Sequence, residues 1–142
     1  MKVSSTRLGE LDLDDEQIYD LGPGILGFPE GRSYAVIEID DDYFWIQSVE
    51  DAETAFLAMH PWSFFPDYEL DVPDDVLAEI GLDDPTESAV YLLLTTNYDG
   101  DDLTDVTANL LGPIIVNNKS RCGRQIVLNT GDYTTKEPLV VA

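Results

Sequence analysis

"TANLLGPIIVNNKSRCGRQIVLN", residues 107–129, is the stretch whose reading decides the fold. An apolar run from Leu110 to Val116 is followed by a polar turn and a second apolar run, "RQIVLN". Both runs have strand length and strand composition, and the residues between them are turn formers. The stretch predicts two paired antiparallel strands, "LLGPIIVNN" and "RQIVLN", with "NNKSRCGRQ" turning between them. Gly123 is expected to supply a positive-φ position in that turn. Pro113 is expected to place its strand at a sheet edge or at a bulge, because it cannot donate to a ladder. The turn also carries Lys119, Arg121 and Arg124, out of only seven basic residues in the chain. Their simplest role is to satisfy nearby carboxylates and blunt an edge.

Outward from this hairpin the same period of two recurs. "SYAVIEI", "YFWIQSV", "TAFLAM" and "AVYLLLTTN" are short runs rich in β-branched, aromatic and apolar residues, most of them separated by turn residues or acidic clusters. "ELDLDD" alternates polar and apolar. "QIYDL" is a poor strand, and "LGPGILGFPEG" holds too much Gly and Pro for regular structure. One segment, "VPDDVLAEIGLDDP", reads as a helix. Pro73 suits its first position, Asp74 and Asp75 suit the positive end of its dipole, and Val76, Leu77 and Ile80 form one apolar stripe. Gly81 can take the left-handed C-cap conformation, and Pro85 stops continuation. A second short turn is expected around 49–54. Many short strands with one clear helix predict an antiparallel β-barrel or sandwich, mainly β, in a single domain spanning 1–142.

Charge is the outstanding compositional fact. The chain of 142 residues carries 29 acidic against seven basic residues, a formal net charge of −22. Such a field repels nucleic acid and anionic lipid and favours basic partners. It also serves solubility, and it is the signature of a salt-adapted surface. A hydrophobic content of 44% is enough for a core without staples, and the one cysteine, Cys122, permits no internal disulfide. No signal peptide is apparent at the N-terminus, and the apolar runs are too short for a helical span. The expectation is a soluble, cytoplasmic protein.

The motifs that look chemical each have a plainer reading. Gly22, Gly24 and Gly27 satisfy G-x-G-x-x-G, but a strand-like segment follows them where a nucleotide fold needs a helix. A tight turn is expected there. In "NYDGDDLTD", placing Gly100 sixth in a calcium loop puts Val106 where a bidentate Glu belongs, so a solvated hairpin tip is expected, with casual cation binding at Asp99, Asp101 and Asp102 the lesser reading. His60 is the only histidine. It lacks the companions a zinc site or nucleophile pair requires, and is expected beside an aromatic cluster. Paired carboxylates are so abundant that none is singled out as acid and base. The segment "HPWSFFPDYEL" differs. Phe64 and Phe65 are assigned to the core, whereas Trp62 and Tyr68 suit either core or an interface anchor.

Read together, three segments resemble the bacterial flagellar assembly factor FliW family. They are "GILGFPEGRSYAVIE", "YFWIQSVEDAETAFLAMHPWSFFPDYELDVPDDVLAEIGL", and "VTANLLGPIIVNNKSRCGRQIVLN" followed by "YTTKEPL". The opening "MKVSSTRLGELDL" resembles that family's first strand pair. The resemblance covers nearly the whole chain in order. Two departures are Lys136–Glu137, where many relatives carry a more basic or His-containing pair, and Tyr34 in place of a common Phe. The resemblance implies a small β-barrel-like fold, no enzymatic activity and no cofactor. It also implies two protein partners, flagellin and the RNA-binding translational regulator CsrA, with allosteric antagonism of CsrA by the flagellin-free protein. No direct contact with nucleic acid or membrane is expected, and a monomer is expected when free. Acidic and aromatic positions around the helix entry are the expected contact residues: Trp62, Tyr68, Glu69, Asp71, Asp74 and Asp75. Two other readings remain open on the residues alone, a metal-dependent hydrolase using clustered Asp and a generic acidic, salt-adapted β-domain.

Overall fold

The computed structural model describes residues 2–6, 8–25, 27, 32–39, 41–99 and 102–138; of residues 85, 96–99 and 102–105 it describes the backbone. Eleven strands and one α-helix appear among them. β1 (Lys2–Ser5) and β2 (Gly9–Asp12) form a separate hairpin, with Val3 paired to Leu11. Next come β3 (Ile18–Asp20), β4 (Ser33–Glu38), β5 (Tyr43–Ser48) and β6 (Ala55–Met59). After α1 (Asp74–Glu79) come the long β7 (Ser88–Asp99), β8 (Asp102–Ala108), β9 (Ile114–Asn117), β10 (Cys122–Gln125) and β11 (Glu137–Pro138).

Seven strands close into a barrel in the order β7–β6–β5–β4–β3–β10–β9 and back to β7. Closure is possible because β7 changes partner along its length. Ser88–Tyr91 pairs with β9, and Leu92–Leu94 pairs with β6 on the other side. From Leu94 onward the strand runs clear of the ring as a hairpin with β8, and β11 pairs onto β8. The described strands pair antiparallel except at the closing contact, where Cys122 of β10 meets Asp20 of β3 in parallel. "QIYDL", a poor strand by composition, therefore supplies a barrel strand. Its three residues pair with Tyr34, Ala35 and Ser33 of β4, and this long-range pairing overrides the weak local signal.

The barrel interior is filled by side chains from six of the seven strands, Tyr19, Tyr34, Phe44, Ile46, Ala58, Tyr91, Ile114 and Val116, with Leu21 and Ile25 from the segment after β3. The apolar run "AVYLLL" is buried on both faces. Tyr91 points into the barrel, while Leu92 and Leu94 pack outward against Met59, Tyr68, Ala108 and Leu110. That two-sided burial is why the segment is continuous rather than alternating. A third cluster joins Val76, Leu77 and Ile80 of the helix segment to Val90, Ile115 and Ile126, so α1 lies against the outside of β7 and β9. The β1–β2 hairpin covers Ala35, with Ile18 and Ile37 beside it.

The helix follows its sequence reading, with Pro73 one position earlier than expected, as the N-cap. Gly81 has φ +68, the left-handed conformation expected after the last turn. Two expectations for the 107–129 stretch need correction. Arg121, not Gly123, holds the positive φ of the turn, at +61. Gly123 lies within β10, where a Cβ would come within 2.7 Å of Val116 Cγ1 and 2.8 Å of the Ile115 carbonyl. It is glycine because the barrel wall is tight there. Pro113 stands just before β9, which is paired on both sides, so it marks neither an edge nor a bulge. Its carbonyl accepts a hydrogen bond from the Ile126 amide, a bond that needs no N–H from proline. Segment 49–54 is the β5–β6 connection, where the Gln47 side-chain amide donates to the carbonyls of Ser48 and Thr54. Gly22, Gly24 and Gly27 all have positive φ, and no helix opens at them among the described residues; Pro29 and Gly31 lie outside the described residues. Gly100, Asp101 and the side chains of Asp99 and Asp102, offered above for cation binding, also lie outside them. Among the described residues, no helix is long and apolar enough to cross a membrane.

Candidate partner-binding site

The segment between β6 and α1 is held by a chain of aromatic contacts. A 3-10 turn at Pro61–Ser63 starts it. The Trp62 indole Nε1 donates to the Tyr68 carbonyl at 3.0 Å, and the two rings meet edge to face, 6.2 Å between centroids. The Tyr68 hydroxyl donates to the Leu110 carbonyl at 2.7 Å, and its ring lies 4.9 Å from that of Tyr133. The Tyr133 hydroxyl accepts from the Glu69 amide at 2.7 Å. Burial pushes the Tyr68 phenol above its ordinary pKa, with the neighbouring Tyr133 adding to the effect. His60 packs against the rings of Phe44 and Tyr91, which also touch each other, with Nδ1 2.9 Å from the Val90 carbonyl oxygen.

These contacts shape two adjoining depressions that share Asp132 and Tyr133. The larger, about 560 Å³, runs between Glu69–Pro73 on one side and Ile126–Thr130 on the other. The smaller, about 310 Å³, is lined by Phe64, Phe65, Asp67, Tyr68 and Glu137 among others. Their floors are apolar. Their rims carry Asp67, Glu69, Asp71, Asp132 and Glu137, and no Lys or Arg is among the described lining residues. Val127, 65% exposed, stands in the larger groove as the most exposed large hydrophobic side chain among the described residues. The combination of an apolar floor and an acidic rim can hold a cationic, partly apolar polypeptide.

Of the six residues expected to make contacts, Glu69 and Asp71 line the larger groove. Tyr68 lines the smaller one but is only 5% exposed, so it is a core residue that supports the surface from beneath. Trp62 is 47% exposed and lies beside the grooves. Asp74 and Asp75 are exposed in the first turn of α1, outside both linings. Phe64 and Phe65 are half-buried against the outer cluster of Met59 and Leu92. The opposite wall, Ile126–Thr130 with Asp132 and Tyr133, was not among the expected contacts. Its one sequence signal is the aromatic Tyr133 in an otherwise polar run.

The basic turn is tied into the fold. Arg124 Nε lies 3.0 Å from Glu79 Oε2, which links β10 to the end of α1. Its guanidinium also fills the space where a Cβ on Gly22 would stand. Arg121 Nη1 donates to the Tyr19 hydroxyl at 2.9 Å and its guanidinium sits over the Tyr19 ring. Lys119 is exposed. Two further arginine and asparagine contacts brace this end of the barrel. Arg32 clamps Asp20 through Nε and Nη2, both at 3.0 Å, which holds the Asp20 carboxyl below its ordinary pKa. Asn117, 1% exposed, donates to the Ile80 and Gly81 carbonyls and accepts the Lys119 amide. Among the described residues, no group of three or more His, Cys, Asp or Glu side chains is placed to hold a metal ion.

Comparison with known proteins agrees with this architecture. The family model described as FliW protein matches residues 2–139. The flagellar assembly factor FliW of Treponema denticola is 37% identical over 141 residues, covering 99% of this chain and 94% of that protein. That of Natranaerobius thermophilus is also 37% identical over 141 residues, covering 98% and 92%. A crystal structure of the flagellar assembly factor FliW superposes with a TM-score of 0.89 at 30% identity, over 100% of this chain and 99% of that one. Matches of this extent, on the same barrel and along nearly the whole length, establish that the chain belongs to the FliW family of flagellar assembly factors.

Proposed function

We propose that this protein is a non-enzymatic regulator that binds flagellin and, when free of it, binds and allosterically antagonises a CsrA-type translational regulator in the cytoplasm. Flagellin synthesis is thereby coupled to export. The observation that carries the reading is the family match along nearly the whole chain, on a barrel whose larger groove of the two described is rimmed by carboxylates and has no basic residue among its described lining. An RNA-binding regulator displays Lys and Arg for phosphate contacts. A chain of charge −22 is suited to meet such a surface, and does not itself suit nucleic acid or an anionic membrane. Because the antagonism is allosteric in this reading, the carboxylates need not reproduce RNA phosphate spacing. Mutual exclusion requires only that the binding of flagellin and of the regulator disfavour each other, by overlap or by coupling.

The test is a competition. Flagellin is titrated into a preformed complex of this protein with the CsrA-type regulator of the same bacterium, and release of the regulator is followed by light scattering or fluorescence anisotropy. Stoichiometric release is expected. Failure to capture either protein at both low and high salt sinks the proposal.

A further inference from the structure

The wall of the larger groove formed by Ile126–Asn129 has an unpaired main-chain edge. The β9–β10 ladder continues past its last strand pair in the same register: the Ile126 amide donates to the Pro113 carbonyl, and the Leu128 amide to the Leu111 carbonyl, both at 2.8 Å. In an extended chain successive amides alternate in direction. The amides of Val127 and Asn129 therefore face away from that ladder, and neither has a hydrogen-bond partner among the described residues. On its outer side β10 pairs with β3 at Cys122 and Gln125 is also engaged, so the open amides among the described residues are those beyond β10, at Val127 and Asn129. Across the groove, the amides of Leu70 and Asp71 are likewise without partners among the described residues. An extended edge bordering a groove lined by carboxylates and apolar side chains is suited to strand addition, in which main-chain bonds supply affinity and side-chain pockets supply choice.

We propose that this groove binds an extended segment of a partner protein, bearing Lys or Arg and apolar side chains, that adds as a strand to the Val127–Asn129 edge. The segment's apolar side chain packs on Val127, and its cations meet Glu69, Asp71 and Asp132. This inference rests on the reading of the groove as a partner surface and adds the mode of binding and the kind of segment. An unprotected edge is otherwise a hazard, since it can template pairing with any chain. Here the acidic rim repels copies of the same acidic protein and admits a cationic segment.

The test uses the intact protein and a displayed library of randomised linear peptides. Enriched peptides are expected to alternate apolar residues with Lys or Arg. On binding such a peptide, the Val127 and Asn129 amides are expected to gain hydrogen-exchange protection, while those of the β1–β2 hairpin do not. Val127→Pro removes an amide hydrogen that makes no bond in the free protein. It is expected to weaken peptide binding several-fold to about tenfold, the equivalent of a lost hydrogen bond, with little change in thermal stability. Asp71→Lys with Asp132→Lys is expected to weaken binding more than Asp41→Lys with Glu53→Lys, an equal change of net charge on other loops. Absence of enriched peptides, enrichment of acidic ones, unaltered binding by Val127→Pro, or no protection at the two amides overturns the inference. So does protection that arises from self-association of the free protein. The same exchange measurement with flagellin and with the CsrA-type regulator separates the two readings. Binding without protection at Val127 and Asn129 removes the strand-addition mode alone. Failure of both proteins to bind, with cationic peptides still protecting the Val127 and Asn129 amides, removes the proposed function alone.

Discussion

At the scale of single residues, one buried tyrosine, one partly exposed aspartate and one glycine carry testable weight. Tyr68 supports the smaller groove from below through its hydroxyl on the Leu110 carbonyl. Tyr68→Phe keeps the ring packing and leaves that carbonyl unpaired, so it is expected to cost about 1–3 kcal/mol in urea unfolding, with the fold retained. Gly123 was legible as special but for the wrong reason. Turn chemistry was visible in the sequence, whereas the close approach of Val116 and Leu21 depends on the barrel closing around it. Gly123→Ala is expected to destabilise by about 1–3 kcal/mol through overpacking, measured by the same unfolding curves. Asp20 gives a pH signature. The Arg32 guanidinium lowers its folded-state pKa, so the unfolded chain binds a proton more readily. The stabilisation it supplies is present above the unfolded carboxylate pKa, about 3.9, and is lost as pH falls through the lower folded value. Asp20→Asn is thus expected to be less stable than the parent at neutral pH, with the difference shrinking below about pH 4. A difference independent of pH from neutrality down to that range would show that the Arg32 clamp does not act through charge.

At the scale of elements, what the sequence revealed depended on whether the signal was local. β4, β5, β6 and β7 announce themselves by composition, and α1 by Pro73, its apolar stripe and Gly81. β3 does not, because three residues beside polar neighbours carry little pattern and take their conformation from β4. The parallel β3–β10 contact that closes the barrel joins residues about a hundred positions apart, and no local spacing encodes it. The site divides in the same way. Glu69 and Asp71 were legible because they lie in an acidic stretch beside aromatics, and the opposite wall was not, because its open edge exists only once β9 is paired. The attachment of α1 is similarly long-range. Asn117 and Ser120 hold the Ile80 carbonyl from the β9–β10 turn, and Asn117 also holds that of Gly81. Asn117→Ala is expected to destabilise by about 1–3 kcal/mol, since it leaves buried carbonyl and amide groups with fewer partners. Amides of residues 74–82 should then exchange faster, with those of β4 and β5 less affected. Uniform loss of protection across all these elements would show that helix and barrel unfold as one unit.

At the scale of the whole molecule, the charge of −22 acts on two equilibria with opposite signs. Within the folded chain, 29 carboxylates face seven basic side chains, and the bidentate Arg32–Asp20 clamp and the Arg124–Glu79 pair already use two of those seven. The excess repels itself, and compactness suffers where the Debye length is long. Raising the ionic strength from roughly 0.01 M to 1 M shortens that length from about 30 Å to about 3 Å. The thermal midpoint is expected to rise along this series. Encounter with a cationic partner is steered by the same unscreened field, so its association rate is expected to fall along the series, while dissociation changes less. The two trends also separate the explanations of the acidity. If the carboxylates serve only a salt-adapted surface, stability rises with salt and the association rate is flat. If they serve recognition, the rate falls steeply, and reversing Glu69, Asp71, Asp74 and Asp75 to Lys removes most of that dependence while leaving the fold more tolerant of low salt. Stopped-flow association and thermal unfolding, measured on the same preparation across the same salt series, decide between them.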